Sequence, residues 1–522
     1  MRLSTVIIHC LVYLTVCDGY RFLGVFPFQG KSHFVMFEAL MKGIASKGHQ
    51  VDVISTYPLK KPYPNYNDIV KLRPSMQLVN NMTFEMMHQI ISVNIAHAVA
   101  TLGGNDVCNH LSKPEILNLI RNPPKDPPYD AVLIELFGAS CYGIIGYLWN
   151  VPIIGVSTTT LYPWLHRLVG QPENLAYVTN NCMNFVSNMN FWQRISNTLL
   201  SSYYKWVFYS TTTSVQDNII REHFGPGLPS VRELEMQVAL ILVNTHISLN
   251  GIKPTVPAIV DVAGLHVYND DLELQPDMEK WMNNSKHGFV YFTFGSMIMI
   301  ESFPEQFLKV LYASLGKIAP IRVLMKVPSP EKLPPNLPSN IHTFRWIQQL
   351  KILKHHNIKA FITHGGLMGT QEAIVCGVPM IGIPLFADQF DNIDRYVSRN
   401  IAVRVNIEGI TEEIMDTALN AVIWDPLYRE SARNLSRRFL DRPMNSLDTA
   451  IYWIEYIIKY GSGVLRSPAL ELFWWQLYLV DVIGFLMICT IAAIIIVIFV
   501  MRFILGMINR EFYSSKHSQK ID

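Results

Sequence analysis

The residues best suited to chemistry lie in one short segment, residues 361–389, which reads FITHGGLMGTQEAIVCGVPMIGIPLFADQ. A short apolar run in this segment is followed by Gly365 and Gly366 and then by a helical stretch. Glycines let the chain turn so that the unpaired N–H groups at the start of the next helix face a bound phosphate. His364 adds a side-chain donor. The segment therefore predicts a site for a phosphorylated ligand.

Three further polar residues in the same segment favour a ligand rich in hydroxyl groups. Glu372, within the helical stretch, offers a carboxylate to a diol. Asp388 and Gln389 follow a second apolar run, so we expect them at the carboxyl edge of a sheet. A dinucleotide-binding loop is the nearest alternative, but that loop requires glycine at the position that His364 occupies. The sequence thus disfavours a dinucleotide site.

The spacing of the polar residues, glycines and prolines in this segment resembles the signature of the UDP-glycosyltransferases, which move a sugar from a uridine diphosphate sugar to a small lipophilic acceptor. The matching residues are His364, Gly366, Gly369, Glu372, Pro379, Pro384, Asp388 and Gln389. The stretches FVMFEALMKGIASKGHQVDVIS, THGG and GIPLFADQ are most similar to the arthropod membrane-bound branch of that family. The resemblance runs over nearly the whole chain.

The resemblance implies an α/β fold of the GT-B type, in which two doubly wound Rossmann-like domains face each other across a cleft. It also implies an inverting transfer of a hexose, with glucose expected, to a hydroxyl of a small lipophilic alcohol or phenol. Detoxification, or turnover of a hormone or pigment, is the expected role. The UDP-sugar is a co-substrate, and neither a cofactor nor a metal ion is expected, because the chain contains no Asp-x-Asp pair.

Sugar transfer requires a base that accepts the proton of the acceptor hydroxyl. His33 follows the first predicted strand and, in the setting GKSHF, matches the base of this family. Family members orient that histidine with a carboxylate from a later loop of the first domain. Ser140 stands where arthropod relatives commonly have Asp, so Glu135 is the carboxylate that we expect to contact His33.

The uridine and sugar moieties are expected to bind different residues. By resemblance, Trp346 stacks on the uracil and Gln349 forms hydrogen bonds with the uridine. Glu372 is expected to bind the ribose hydroxyls. Asp388 and Gln389 are expected to contact the transferred sugar.

The diphosphate is expected to bind at the start of the helical stretch. The expected ligands are Ser296, His364, Gly366 and the amides of Gly369 and Thr370. A charged hydrogen bond would make His364 the strongest of these contacts. Met368 stands where vertebrate relatives have Asn, and Gln348 replaces the proline of the family's Trp-x-Pro-Gln block, which begins here at Trp346. These departures, with Ser140, leave one alternative open, a catalytically weak homologue that acts as a binding or accessory subunit.

Two successive α/β patterns divide the chain into an N-terminal acceptor-binding domain, residues 20–255, and a C-terminal UDP-sugar-binding domain, residues 256–475. The first pattern includes an amphipathic helix from about residue 34 to 47. The prolines and glycine of residues 251–257 indicate a linker. Residues 446–459 predict a late helix, which family members lay back over the first domain.

Both ends of the chain carry membrane-targeting patterns. Residues 1–19 predict a secretory signal peptide, with Arg2 before an apolar run. Residues 482–501 are uncharged and apolar over about the 20 residues that span a bilayer. The basic tail, residues 502–522, is expected to be cytosolic. The prediction is a single-pass type I protein of the endoplasmic reticulum membrane with a lumenal body.

The composition excludes some classes of partner. The 522 residues carry a net charge of only +2, which gives no reason to expect nucleic-acid binding. The oligomeric state stays open, and a homo-oligomer is compatible with the sequence. The predicted glycosylation sites are Asn81, Asn283 and Asn434. The cysteines expected in the lumen, whose pairing is left open, are Cys108, Cys141, Cys182 and Cys376.

Overall fold

The computed structural model describes residues 19–72, 78–91, 94–180, 183, 188–268 and 274–518. The predicted signal peptide lies outside these residues except for Gly19, and so do Cys182 and residues 519–522 of the predicted tail. The chain divides into two compact units, Met1–Arg466 and Ser467–Asp522. Both α/β patterns belong to the first unit.

Seven parallel strands of the described chain form the first sheet, in the order β3-β2-β1-β4-β5-β6-β7. These strands are β1 (Arg21–Phe26), β2 (Gln50–Ser55), β3 (Tyr66–Lys71), β4 (Ala131–Glu135), β5 (Ile153–Ser157), β6 (Val238–Val243) and β7 (Ile259–Asp261). All five residues of β4 are buried. Such continuous burial is typical of a parallel sheet that is covered by helices on both faces.

The helices of this first domain are α1 (Lys31–Ser46), α2 (Phe84–Ile91), α3 (Ile95–Ala100), α4 (Asp106–Cys108), α5 (Pro114–Arg121), α6 (Gly143–Trp149), α7 (Phe191–Phe224), α8 (Val231–Glu235) and α9 (Ile247–Asn250). A π-helical turn and four 3₁₀ turns lie at Thr101–Asn105, Asn109–Ser112, Ser140–Tyr142, Pro163–Val169 and Leu265–Tyr268.

Six parallel strands of the described chain form the second sheet, in the order β10-β9-β8-β11-β12-β13. They are β8 (Phe289–Thr293), β9 (Arg322–Lys326), β10 (Ile341–Phe344), β11 (Ile358–Thr363), β12 (Met380–Gly382) and β13 (Ala402–Arg404). The helices are α10 (Pro276–Asn283), α11 (Glu305–Lys317), α12 (Gln349–Leu353), α13 (Leu367–Val375), α14 (Gln389–Val397), α15 (Glu412–Trp424), α16 (Pro426–Leu440) and α17 (Ser446–Tyr460), with 3₁₀ turns at Ile300–Ser302 and Pro330–Lys332.

The strand order of each sheet determines where a ligand can bind. In the first sheet β1 lies between β2 and β4, and in the second sheet β8 lies between β9 and β11. The connections therefore leave in opposite directions from β1 and β4, and from β8 and β11, which opens a crevice at the carboxyl ends of each pair. Residues that directly follow these four strands are thus expected to line a site.

The structure differs from the sequence prediction at several boundaries. Helix α1 begins at Lys31, so His33 lies in its first turn and not in a loop. Strand β7 extends the first sheet to Asp261, beyond the boundary predicted at 255. Strands β3, β10 and β13 also lacked a recognisable pattern, because they are short or have exposed residues.

The late helix α17 contacts the first domain. Its residues Ile451 and Ile454 are buried in the same hydrophobic cluster as Phe22 and Phe26 of β1. His49 at the start of the first domain also lies 2.8 Å from the carboxylate of Glu455. The chain thus returns from the second domain to the first before the first unit ends.

The second unit contains a 3₁₀ turn at Pro468–Glu471 and the helices α18 (Trp474–Leu477) and α19 (Val480–Ser518). Within α19, the segment Val480–Arg510 contains 18 consecutive residues with a mean hydropathy of 3.1 and is long and apolar enough to cross a membrane. It is the one helix of the described chain with these properties, and it includes the predicted span, residues 482–501.

Candidate active site

The predicted base and its predicted carboxylate partner are in contact. His33 follows β1 in the first turn of α1, and Glu135 is the last residue of the neighbouring strand β4. Nδ1 of His33 lies 2.6 Å from Oε1 of Glu135. A carboxylate at Nδ1 favours the tautomer that carries its proton there, and Nε2 is then the ring nitrogen that can accept a proton.

The surroundings of His33 restrict the orientation of its ring. The hydroxyl of Thr158 lies 3.1 Å from Nδ1, and the rings of Phe28 and Phe137 lie with centroids 4.9 and 5.0 Å from the imidazole centroid. Sequence reasoning did not identify Thr158, because it follows β5, more than a hundred residues away. These contacts hold the imidazole in one position.

Ser140, the departure from the expected aspartate, contacts a different acid. Its hydroxyl donates a hydrogen bond to Glu235, which also pairs with Arg232 at 2.9 Å. Burial raises the pKa of Glu235. Ser140 is thus engaged with Glu235, whereas Glu135 contacts His33.

The second crevice brings the predicted phosphate ligands together. Gly295 and Ser296 follow β8, and His364 follows β11 directly before helix α13. The His364 ring lies between two glycines: a Cβ on Gly295 or on Gly366 would be 2.7 Å from a ring atom. Gly295 also has a φ of +81°, which disfavours other residues there. The glycines are therefore required for the position of His364.

The imidazole of His364 is neutral near pH 7. Burial, with a contribution from Lys326, lowers the pKa of His364 to about 4. Among the described residues, its buried Nδ1 has no hydrogen-bond partner. The ring therefore offers a neutral donor or acceptor, and the charge in a hydrogen bond from His364 to a phosphate would come from the phosphate.

The cation near this crevice is Lys326, which sequence reasoning missed. It ends β9 and is only 6% exposed. Its Nζ donates to Oδ1 of Asn80 and to the carbonyl of Gly295, each at 2.6 Å, and lies 5.4 Å from the centroid of the Trp346 ring. Burial lowers the pKa of Lys326 to about 8. A lysine at the end of a buried strand is unusual, and that was the available signal.

The residues predicted for uridine also lie together. Trp346 is 38% exposed. The amide nitrogen of Gln349 donates to Glu372 at 2.6 Å, and the hydroxyl of Tyr291 donates to the amide oxygen of Gln349 at 3.3 Å. Burial raises the pKa of Glu372 to about 7. Gly369 is packed against this pair, since a Cβ there would be 2.7 Å from the nitrogen of Gln349.

Thr370 does not have the predicted position in the phosphate site. Its amide donates to the carbonyl of Gly366 within helix α13. Its hydroxyl is buried and contacts the carbonyls of Gly366 and Leu367 and the hydroxyl of Tyr396. Only the first N–H groups of a helix lack an intrahelical partner, and Thr370 lies one position too far along. The prediction for Thr370 is therefore wrong, whereas Gly369 is in the first turn.

Asp388 and Gln389 lie at the start of α14, where the second domain faces the first. The amide oxygen of Gln389 accepts from the amides of Leu385 and Phe386 at 2.9 and 3.1 Å, so it supports the preceding loop. Burial raises the pKa of Asp388, while the charge of His33 across the cleft acts in the opposite direction. His33 is thus close enough to Asp388 to influence its ionisation.

The remaining predicted sites lie elsewhere. Asn283 and Asn434 are exposed, whereas Asn81 is half-buried and its amide donates to the carbonyl of Met297. Cys108 and Cys141 form a disulfide, a pairing that the sequence left open. The described residues contain no cluster of three His, Cys, Asp or Glu side chains that could hold a metal ion.

Comparison with known proteins agrees with this geometry. The family model for UDP-glucoronosyl and UDP-glucosyl transferase matches residues 25–512. UDP-glucosyltransferase 2 of Dactylopius coccus is 34% identical over 519 residues, which cover 98% of this chain and 97% of the relative. UDP-glucuronosyltransferase 2A3 of Mus musculus is 28% identical over 488 residues, which cover 89% of each chain.

Solved structures show the same fold. The structure of Phytolacca americana UGT2 complexed with UDP-2fluoro-glucose and pterostilbene has a TM-score of 0.57 and 17% identity, and covers 84% of this chain and 100% of that one. Spinosyn forosaminyltransferase SpnP has a TM-score of 0.55 and 16% identity, with 84% and 99% covered. The fold is thus GT-B, with two Rossmann-like domains. From the match of the family model along most of its length, this chain belongs to the UDP-glycosyltransferase family and is a glycosyltransferase.

Proposed function

We propose that this chain is an inverting UDP-glycosyltransferase that transfers a hexose, with glucose expected, to a hydroxyl of a small lipophilic alcohol or phenol. The observation that carries the proposal is the 2.6 Å contact between His33 and Glu135 beside the carboxyl ends of β1 and β4. The glucosyltransferase of Dactylopius coccus, among the relatives named above, supports glucose as the sugar.

In the proposed reaction His33 is the base. Its Nε2 accepts the proton of the acceptor hydroxyl while the oxygen attacks the anomeric carbon of the sugar. The bond from that carbon to the diphosphate oxygen breaks as the new bond forms on the opposite face, so the configuration inverts. Glu135 keeps the proton of His33 at Nδ1 and stabilises the imidazolium that results.

The leaving UDP carries the developing negative charge. The ammonium of Lys326, the ring of His364 and the first amides of α13 are the groups that stabilise it. A helix N-terminus contributes about 0.3 to 1 kcal/mol toward an anion, and a charged hydrogen bond contributes about 1.5 to 3 kcal/mol. Lys326 is therefore the largest single contribution to stabilising the leaving UDP. The proposed reaction requires neither a metal ion nor a cofactor.

The donor is selected by three further contacts. Trp346 stacks on the uracil, and Gln349 and Glu372 form the directional bonds to the nucleoside. Gln389 carries two N–H donors on its side-chain nitrogen, which are offered to the sugar together with the carboxylate of Asp388.

The cellular setting is part of the same proposal. The signal peptide directs the body into the lumen of the endoplasmic reticulum, and the span within Val480–Arg510 anchors the protein with a cytosolic tail. Asn283 and Asn434 are then exposed to the glycosylation machinery.

The test is release of UDP from UDP-glucose by the membrane-embedded protein with a panel of phenols and aliphatic alcohols. Magnetic resonance of the product determines the configuration at the anomeric carbon, and a β-glucoside from the α-linked donor is expected. UDP-sugar binding without turnover on any acceptor would favour the accessory-subunit alternative. A product that retains the α configuration would overturn the single displacement.

A further inference from the structure

A segment of the first domain is packed in the core of the second. Residues 78–89 follow the strand β3 of the first sheet, and we call them the bridging segment. Met82 and Met87 are buried in one hydrophobic cluster with Phe292 and Phe303 of the second domain. The bridging segment is therefore part of the hydrophobic core of the second domain, although it follows β3 of the first domain in sequence.

Backbone hydrogen bonds fix the bridging segment to the loop that carries Ser296. The amide of Asn80 donates to the carbonyl of Ser296 at 2.9 Å, and the amide of Met82 donates to that of Met297 at 3.0 Å. The amide of Met299 donates back to the carbonyl of Met82 at 3.0 Å. The loop after β8, at the predicted phosphate site, is thus held from one side by the first domain.

Asn80 makes the side-chain contact of this arrangement. It has a left-handed backbone with a φ of +52°, a conformation that asparagine adopts more readily than most residues. Its Oδ1 accepts a hydrogen bond of 2.6 Å from Nζ of Lys326. The sequence separates the two residues by 246 positions, so the contact joins the two domains.

The contact leaves Lys326 with a further donor. An ammonium has three N–H groups, and the acceptors recorded for Lys326 are Asn80 and the carbonyl of Gly295. Both acceptors lie on the β8 side of β9, and the centroid of the Trp346 ring lies 5.4 Å from Nζ. Because a lysine side chain has several rotatable bonds, two fixed acceptors determine where the third N–H lies.

We infer that Asn80 is a positioning residue of the donor site: the first domain holds the ammonium of Lys326 so that its remaining N–H binds the diphosphate of the UDP-sugar. This inference rests on the proposed function, since it takes UDP as the ligand. It also gives the bridging segment a role, because this segment supplies the acceptor that positions Lys326.

The test compares UDP with uridine, which has no phosphate, in equilibrium binding to the solubilised full-length chain. Asn80→Gly removes the amide and tolerates the positive φ. This variant is expected to weaken the binding of UDP at least about tenfold and the binding of uridine by no more than about twofold. Asn65→Gly is the matched control, because Asn65 is exposed, also has a positive φ of 58°, and belongs to neither the bridging segment nor the site.

A double-mutant cycle separates positioning from a general effect on the pocket. Lys326→Met is expected to weaken the binding of UDP at least as much as Asn80→Gly does. The double variant is expected to match Lys326→Met alone, because Asn80 acts only through that ammonium. The inference would be overturned if the fold-losses in UDP affinity of the two single variants multiplied in the double variant. It would also be overturned if Asn80→Gly lowered the affinities for UDP and uridine by the same factor.

The outcome for the unmodified chain distinguishes the two proposals. If it does not bind UDP, the proposed function fails and the inference fails with it. If it binds UDP and Lys326→Met weakens that binding while Asn80→Gly does not, only the positioning role of Asn80 is wrong.

Discussion

Nδ1 of His33 lies 2.6 Å from Oε1 of Glu135, although 102 positions separate the two residues in the chain. They meet because α1 follows β1 after the short loop of residues 27–30, and Glu135 ends β4, the strand that pairs with β1 on the side where the strand order reverses. The contact leaves Nε2 of the imidazole as the nitrogen that can act on a substrate.

The first prediction concerns this carboxylate. Glu135→Gln keeps the size of the side chain but removes the charge that stabilises the imidazolium and favours the correct tautomer. We expect kcat to fall about 10²-fold or more, with the inhibition constant of UDP unchanged. Initial rates at saturating donor and acceptor measure the effect.

Ser140→Ala is the control for that variant. Ser140 lies in the same loop but contacts Glu235 and not His33. Its loss is expected to leave kcat within about threefold of the unmodified enzyme, because no group at the reacting atoms changes. A large effect of Ser140→Ala together with a small effect of Glu135→Gln would assign the carboxylate role to Glu235.

The second prediction concerns the pH dependence of ribose binding. Burial raises the pKa of Glu372 to about 7, above its ordinary value, so the carboxylate that we propose as acceptor for the ribose hydroxyls exists mainly above that pH. We compare the affinity for UDP with the affinity for a UDP analogue that lacks the 2′ and 3′ hydroxyls. The ratio of the first to the second should fall, by up to about tenfold, as the pH is lowered from about 8 to about 6.

The ratio of the two affinities is the appropriate readout because Lys326, with a pKa of about 8, gains charge as the pH falls over the same range. This charge strengthens the binding of both ligands equally. Glu372→Gln should make the ratio independent of pH. A ratio that stays constant in the unmodified protein would remove Glu372 from the ribose site.

The third prediction concerns Gln389. Its amide oxygen supports the loop at Leu385 and Phe386, and in the proposed function its nitrogen donates to the sugar. Gln389→Ala should raise KM for the UDP-sugar about tenfold, while inhibition by UDP changes by less than about twofold. If both constants change by one factor, Gln389 shapes the whole pocket and does not contact the sugar specifically.

The fourth prediction concerns the membrane anchor. All proposed site residues belong to the unit Met1–Arg466, and the apolar helix belongs to the other unit. A chain that ends at Arg466 should enter the secretory pathway and be released as a soluble, glycosylated protein. Fractionation after alkaline extraction of membranes measures this. Recovery of the truncated chain in the membrane pellet would contradict it.

The orientation has its own measurement. In sealed microsomes, added protease should remove the tail after Arg510 and leave the body intact. Protection of the tail with digestion of the body would reverse the proposed topology.

Much of the fold follows from local sequence. Strands such as β4 and β6 are continuous apolar runs, because a parallel sheet is buried on both faces, and such runs are recognisable without tertiary information. Strand β7 has three residues, and its formation depends on pairing with β6, which no local pattern encodes.

The sequence predicted site residues that follow a recognisable strand. It did not predict contacts between residues that are far apart in the sequence. His33 and His364 each follow a recognisable strand, so their positions could be inferred. The contact of Lys326 with Asn80 depends on a segment of one domain packing in the other, which spacing does not encode. Thr370 was placed wrongly because the sequence does not give the exact residue at which α13 starts. A difference of one position determines whether a backbone amide has a hydrogen-bond partner within the helix.

The most direct test of the account is the turnover of His33→Ala, compared with the unmodified enzyme at one pH with one phenol acceptor and UDP-glucose. Because His33 accepts the proton but does not hold the nucleotide, kcat should fall about 10² to 10⁴-fold while the affinity for UDP stays within about twofold. Equal turnover in the two proteins would show that His33 is not the base and would contradict the proposed reaction.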